Sequence, residues 1–328
     1  MEKFTMNDTT IAFIGLGLIG GSLAKGIKKA RPDIRIMAYM RTRSKLEQAK
    51  KDGIVDVILD GIDEQLKQCD LIFLCTPVEY NAQYLSKIRS YLKPGALITD
   101  VGSTKTDIHK EILRQGLTDC FVGGHPMAGS EKTGYENATD HLLENAYYIV
   151  TPPEGFNQNG CGYGNISPKY SENVKRIIAV AQTVGAIPLV LDYKEHDTVV
   201  AAISHLPHLV ASSLVNLVKD SDSPAETMKQ VAAGGFKDIT RIASSSPEMW
   251  EQICMTNSEP IADMLERYID SLQDILSEIK GHQGNAIYKL FEKSRDYRNT
   301  ITDRAKGSVE PSYAFSVDMA DEVGAIST

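Results

Sequence analysis

One imidazole stands in an unusually constrained setting. Gly123-Gly124-His125-Pro126-Met127-Ala128-Gly129-Ser130-Glu131 places His125 after two glycines and before a proline. The residue before a proline is driven to extended backbone. The preceding run Cys120-Phe121-Val122 reads as a strand, so His125 stands at a strand's carboxyl end. Free imidazole titrates near ~6.5, which suits proton transfer at neutral pH. We read His125 as a candidate base, against the alternative of a structural histidine.

Two further segments carry polar groups among apolar ones. Asp100-Val101-Gly102-Ser103-Thr104-Lys105 follows the apolar run Ala96-Leu97-Ile98-Thr99, and Thr76 follows Leu71-Ile72-Phe73-Leu74-Cys75. Ligands of open α/β sheets bind beyond the carboxyl ends of strands, so Ser103 and Thr76 would face that crevice. A helix N-cap is the other use for Ser103. His196-Asp197 precedes Ser204-His205-Leu206-Pro207-His208. On one helix Asp197, Ser204 and His208 share a stripe, with spacings of seven and four, and Pro207 should kink it. The stripe predicts a wet cleft, or else buried polar groups that satisfy one another.

Lys237 and Arg241 are four apart in Gly234-Gly235-Phe236-Lys237-Asp238-Ile239-Thr240-Arg241. Like charges at that spacing cost a helix ~0.2–0.5 kcal/mol, which an anionic ligand would reverse. Arg241 can hold a carboxylate through two parallel hydrogen bonds. A solvated basic face, or pairing with Asp238, is the alternative.

Gly15-Leu16-Gly17-Leu18-Ile19-Gly20 lies between the strand-like Thr10-Ile11-Ala12-Phe13-Ile14 and a helical stretch. That context makes it a dinucleotide turn. Gly15 permits the tight bend, Gly17 leaves room for a pyrophosphate, and Gly20 lets the helix pack on the strand. The amides of Leu18, Ile19 and Gly20 then open the helix toward the phosphates. Some 20 residues on, where Asp or Glu usually holds the ribose, the chain reads Met40-Arg41-Thr42-Arg43. Without the carboxylate, Arg41 or Arg43 can meet a 2′-phosphate. This reading favours NADP+ over NAD+, against a merely solvated basic loop.

The elements that must position these groups follow from periodicity. Over roughly the first 150 residues, short apolar runs alternate with amphipathic stretches, as expected of a doubly wound parallel sheet; a Gly/Asn/Pro-rich stretch and one more helix and strand follow. Residues 193–298 show long helical patterns and no strand. We expect an α/β Rossmann-type domain over 1–192 and an all-α substrate and dimerisation domain over 193–298. Residues 299–328 form a tail.

Length and composition agree with a two-domain globular protein. The chain has 328 residues, a net charge of −8 and 42% hydrophobic residues. That charge argues against nucleic acid or anionic lipid as partner. No apolar run approaches the ~18 residues of a membrane span, and no secretory signal is legible. Five cysteines without C-x-x-C spacing argue against a disulfide framework and a zinc site. A cytoplasmic location is expected.

Taken in order, GLGLIGGS, CTPV, DVGSTK, GGHPMAGSE, the HD…SHLPH helix, GGFKDITRIASSSPEMW and FEKSRDYR resemble the prephenate dehydrogenase (TyrA) family of tyrosine biosynthesis. They run from residue 15 to about residue 298. The resemblance implies hydride transfer from C4 of prephenate to a nicotinamide, with loss of CO2, giving 4-hydroxyphenylpyruvate. It implies His125 as the base at the C4 hydroxyl, assisted by Ser103. Arg241 would hold a substrate carboxylate, with His208 orienting the substrate and Ser204 beside it. Lys237 would reach a neighbouring subunit's site, since family members dimerise through the helical domain. No metal is required.

Two features depart from the family pattern. Met40 stands where many members place Asp, and the tail around Tyr313–Asp318 resembles the start of an ACT regulatory domain, too short to fold. Arogenate dehydrogenase, a β-hydroxyacid dehydrogenase and a non-catalytic dinucleotide-sensing dimer are the alternatives.

Overall fold

The computed structural model describes residues 9–129, 132–153 and 168–301. The ACT-like tail segment and most of the Gly/Asn-rich stretch after Pro153 lie outside the described residues.

Strands β1 (Thr10–Ile14), β2 (Arg35–Tyr39), β3 (Val57–Ile58), β4 (Leu71–Leu74) and β5 (Leu97–Asp100) form a parallel sheet in the order β3-β2-β1-β4-β5. Each strand is apolar on both faces because both are covered. Ile11 and Phe13 enter one core, where Phe13 stacks on Phe73 at 4.9 Å between ring centroids. Ala12 and Ile14 enter the other. Helices α1 (Leu18–Ala30) and α5 (Pro168–Thr183) cover the first face, and α3 (Asn81–Ile88) and α4 (Thr106–Gln115) the second. Helix α2 (Arg43–Lys51) leads into β3, the two-residue edge strand that sequence patterning missed.

The doubly wound expectation needs one correction. β6 (Gly123–Pro126), β7 (Tyr147–Thr151) and β8 (Ile187–Val190) form a separate three-stranded sheet, with β6 antiparallel to β7 and β7 parallel to β8. The cause is the connection. Between Pro126 and Tyr147 the chain makes no crossover helix among the described residues; it turns back over α1, where Tyr135 and Ala138 meet Gly21. Between β7 and β8, helix α5 supplies the crossover that a parallel pair requires. A bridge between Ile98 and Phe121 joins the two sheets.

The rest is helical: α6 (Tyr193–Val200), α7 (Leu206–Ser221), α8 (Thr227–Val231), α9 (Gly234–Thr240), α10 (Pro247–Thr256), α11 (Ser258–Lys280) and α12 (Gly284–Thr300). Between α6 and α7, Ala201–His205 forms a π turn. Pro207 lacks the N–H that would bond back into that turn, which widens instead of bending sharply. The continuous run Tyr193–Ser221 is long and apolar enough to cross a membrane by length and composition. This corrects the expectation that no such run exists. Residues 198–218 contain no Asp, Glu, Lys or Arg, and their polarity rests on Thr, His, Ser and Asn.

Candidate active site

Asp100 ends β5 in a buried network. Its carboxylate pairs with the fully buried Lys105 ammonium and accepts the Gly102 amide at 2.9 Å and the Gly124 amide at 3.2 Å. The two glycines before His125 are a packing requirement. A Cβ on Gly124 would lie 2.7 Å from the Asp100 carbonyl and from the Tyr148 hydroxyl. Strand β6 therefore lies hard against β5 and delivers His125 to the same edge as Ser103.

A cavity of about 740 Å³ opens there, between the nucleotide-binding domain and the helices. Of the sequence-predicted residues it brings together Gly17, Leu18, Ile19, Gly20, Thr76, Ser103, His125, Ser204 and His208. Gly15 lies behind the turn. Its φ is +93°, and a Cβ would meet the Cys75 carbonyl at 2.6 Å. Ser103 is not the cap of α4; that role falls to Asp197, which accepts the Lys105 and Thr106 amides at 2.8 and 2.7 Å.

Arg41, Lys237 and Arg241 do not line the cavity. Arg41 lies over the Tyr80 ring at 5.1 Å. Lys237 is exposed on α9. Arg241 follows α9 beside His208, close enough for its charge to help depress the His208 pKa, although burial is the larger cause. The predicted stripe is also broken. Asp197 is fully buried at the start of α4, whereas Ser204 and His208, beyond the first residues of the π turn, line the cavity.

Sequence reasoning missed three groups. His196 Nε2 lies 2.8 Å from His125 Nδ1, and His196 Nδ1 lies 2.8 Å from Asp197 Oδ1. His205 lines the cavity, and Asn257 contacts its Nδ1 at 3.1 Å. Trp250, the chain's single tryptophan, stacks on His208 at 3.8 Å. The HD dipeptide and the lone tryptophan were the available signals; their direction was not.

The histidines here are held neutral. Burial first, then His196 and Lys105, push the His125 pKa well below its ordinary value. Burial also lowers His196, against the opposing pull of Asp197, and brings His205 down to about 4. Burial works to raise Asp197, but hydrogen bonds from His196 and Thr106 outweigh it and keep it ionised. An uncharged imidazole opening on a cavity is a ready proton acceptor.

The glycine turn fits a dinucleotide. Gly17 begins α1 without a side-chain cap, its Cβ position is open, and the first turn carries no acidic group. The free amides of Leu18, Ile19 and Gly20 line the cavity and suit a pyrophosphate.

Comparison with known proteins agrees. The family described as "Prephenate dehydrogenase, nucleotide-binding domain" matches residues 23–160, and "Prephenate dehydrogenase, dimerization domain" matches residues 192–293. The chain belongs to the prephenate dehydrogenase family. It is 36% identical to the Bacillus subtilis (strain 168) prephenate dehydrogenase over 322 residues, covering 97% of this chain and 83% of that one. Among solved structures, prephenate dehydrogenase from Aquifex aeolicus, in complex with hydroxyphenyl propionate and NAD+, has a TM-score of 0.80. It is 29% identical and covers 92% of this chain and 100% of its own. Synechocystis arogenate dehydrogenase has a TM-score of 0.75 and 28% identity, covering 89% and 99%. Family and coverage make this chain an NAD(P)-dependent oxidoreductase acting on prephenate, with arogenate less supported. The dimerization domain supports a homodimer.

Proposed function

We propose that this cavity carries out the oxidative decarboxylation of prephenate, with His125 as the base. The observation that carries the assignment is His125 itself, neutral, on the cavity wall with Ser103 and the glycine turn. His125 accepts a hydrogen bond from the C4 hydroxyl, raising electron density on oxygen as hydride leaves C4. Ser103 orients that hydroxyl. Loss of CO2 from the ring then restores aromaticity, and the phenolic oxygen keeps its proton. NAD(P)+ supplies the hydride acceptor when bound at Gly15–Gly20. His208, stacked on Trp250, and Ser204 border the substrate, and Arg241 beside His208 meets a substrate carboxylate. Lys237, exposed and outside this cavity's lining, is assigned to the neighbouring subunit's site.

For the cofactor we favour NADP+ over NAD+, with both accepted. Arg43 is engaged by Asp60 and Glu47, which leaves Arg41, stacked on Tyr80, as the guanidinium for a 2′-phosphate. We take residues 1–192 and 193–298 as the two domains and the cytoplasm as the location.

Replacing His125 with Asn tests the assignment. The variant should bind cofactor and prephenate normally while kcat falls by roughly 10²–10⁴. An unchanged kcat in a folded variant would remove His125 from the chemistry.

A further inference from the structure

We propose that His196 and Asp197 are positioning residues that fix His125 in the tautomer whose Nε2 lone pair is left for the cavity. The inference rests on the reading of His125 as the base.

The argument runs outward from a fixed carboxylate. Asp197 accepts the Lys105 amide and the His196 ring on Oδ1 and the Thr106 amide on Oδ2. An ionised carboxylate is acceptor-only, so His196 Nδ1 carries the proton and donates. His196 is fully buried and neutral, so its Nε2 is bare. Across 2.8 Å, His125 Nδ1 must then be the donor. A neutral His125 that spends its one N–H on His196 keeps an unprotonated Nε2. If His196 became cationic, it would donate to His125 Nδ1, and the proton would move to the nitrogen needed as acceptor.

The surroundings guard that state. The Lys105 ammonium opposes protonation of both rings, while Asp197 and Asp100 favour protonation of His196. His205 lies close enough to oppose protonation of His125, and His109 lies close to His196. As Nε2 accepts the strengthening hydrogen bond from the substrate hydroxyl, the partial positive charge on the His125 ring is shared through its Nδ1–H with His196 and meets Asp197. The same carboxylate caps α4, so seating α6 against α4 and orienting the base are one event.

Nitrogen-15 NMR of histidine-labelled, full-length wild-type protein reads the tautomer directly. His125→Asn and His196→Gln assign the resonances among seven histidines. We expect a protonated Nδ1 and a bare Nε2 on His125 above neutral pH; a protonated Nε2 overturns the proposal. Kinetics give an independent reading. His196→Leu removes the acceptor and should lower kcat roughly 10²-fold, with KM for prephenate within about twofold. His196→Gln can both accept from His125 and donate to Asp197, and should recover most of the loss. If His125→Asn loses activity while His196→Leu keeps its kcat, the positioning role is wrong and the base reading stands. If His125→Asn is itself fully active, the base reading fails. The wild-type spectrum decides the tautomer even if His196→Leu does not fold.

Discussion

At the scale of single residues, the proposed cofactor preference rests on side-chain type and the proposed base on local geometry. Met40 packs its side chain against the core where a carboxylate would otherwise meet the ribose hydroxyls. A 2′-phosphate carries close to two negative charges, and on the proposed reading Arg41, over the Tyr80 ring, receives it. The wild type should show a lower KM for NADP+ than for NAD+, and Met40→Asp should reverse the order by repelling the phosphate. Steady-state kinetics with each cofactor would check this; a tenfold wild-type preference for NAD+ would mean Arg41 serves only Tyr80. His125, Ser103 and His208 were legible because each interrupts an apolar or glycine-rich run. His196 was not, because its partner His125 lies 71 residues away and linear order does not give a ring's direction.

At the scale of elements, α4 joins the two halves of the molecule. Its first amides are capped by Asp197 from α6, and Thr104 just before it contacts Thr256 of α10 at 3.0 Å. Farther along α4, His109 is fully buried, stacks on Tyr193 and meets Thr151 at 2.9 Å. Burial first, then Lys105, bring its pKa down to about 3. In the unfolded chain the group titrates near ~6.5, so between those values the unfolded state binds the extra proton. Stability from the neutral ring is complete above about pH 6.5 and is lost as pH falls toward 3. His109→Gln should flatten urea-derived stability against pH there by up to about 1.4 kcal/mol per pH unit. Equal slopes for both proteins would show that His109 does not carry the acid sensitivity. The parallel sheet and the helices were readable from periodicity. The reversal of β7 against β6 was not, because strand direction depends on a connection whose path over α1 is set by packing at Gly21. The π turn was hidden for a similar reason: Pro207 announces a lost hydrogen bond but not how the helix absorbs it.

At the scale of the whole molecule, α11 presents Ile269, Leu272, Leu276 and Ile279 in one outward stripe, and α12 exposes Tyr288 and Phe291. Such a surface calls for a partner, which the dimerization domain names as a second copy. Sedimentation at micromolar concentration should give a dimer, and Leu272→Glu with Leu276→Glu should give monomers; a wild-type monomer would contradict the assignment of this face. The central claim concerns the assembled enzyme and has one direct measurement. The purified full-length protein is supplied in turn with prephenate, arogenate or neither, and with each nicotinamide cofactor. Absorbance of the reduced cofactor and released CO2 are followed together. We predict reduction that depends on prephenate, exceeds that with arogenate, and releases one CO2 for each cofactor reduced. No prephenate-dependent reduction, or reduction without CO2, would contradict the account.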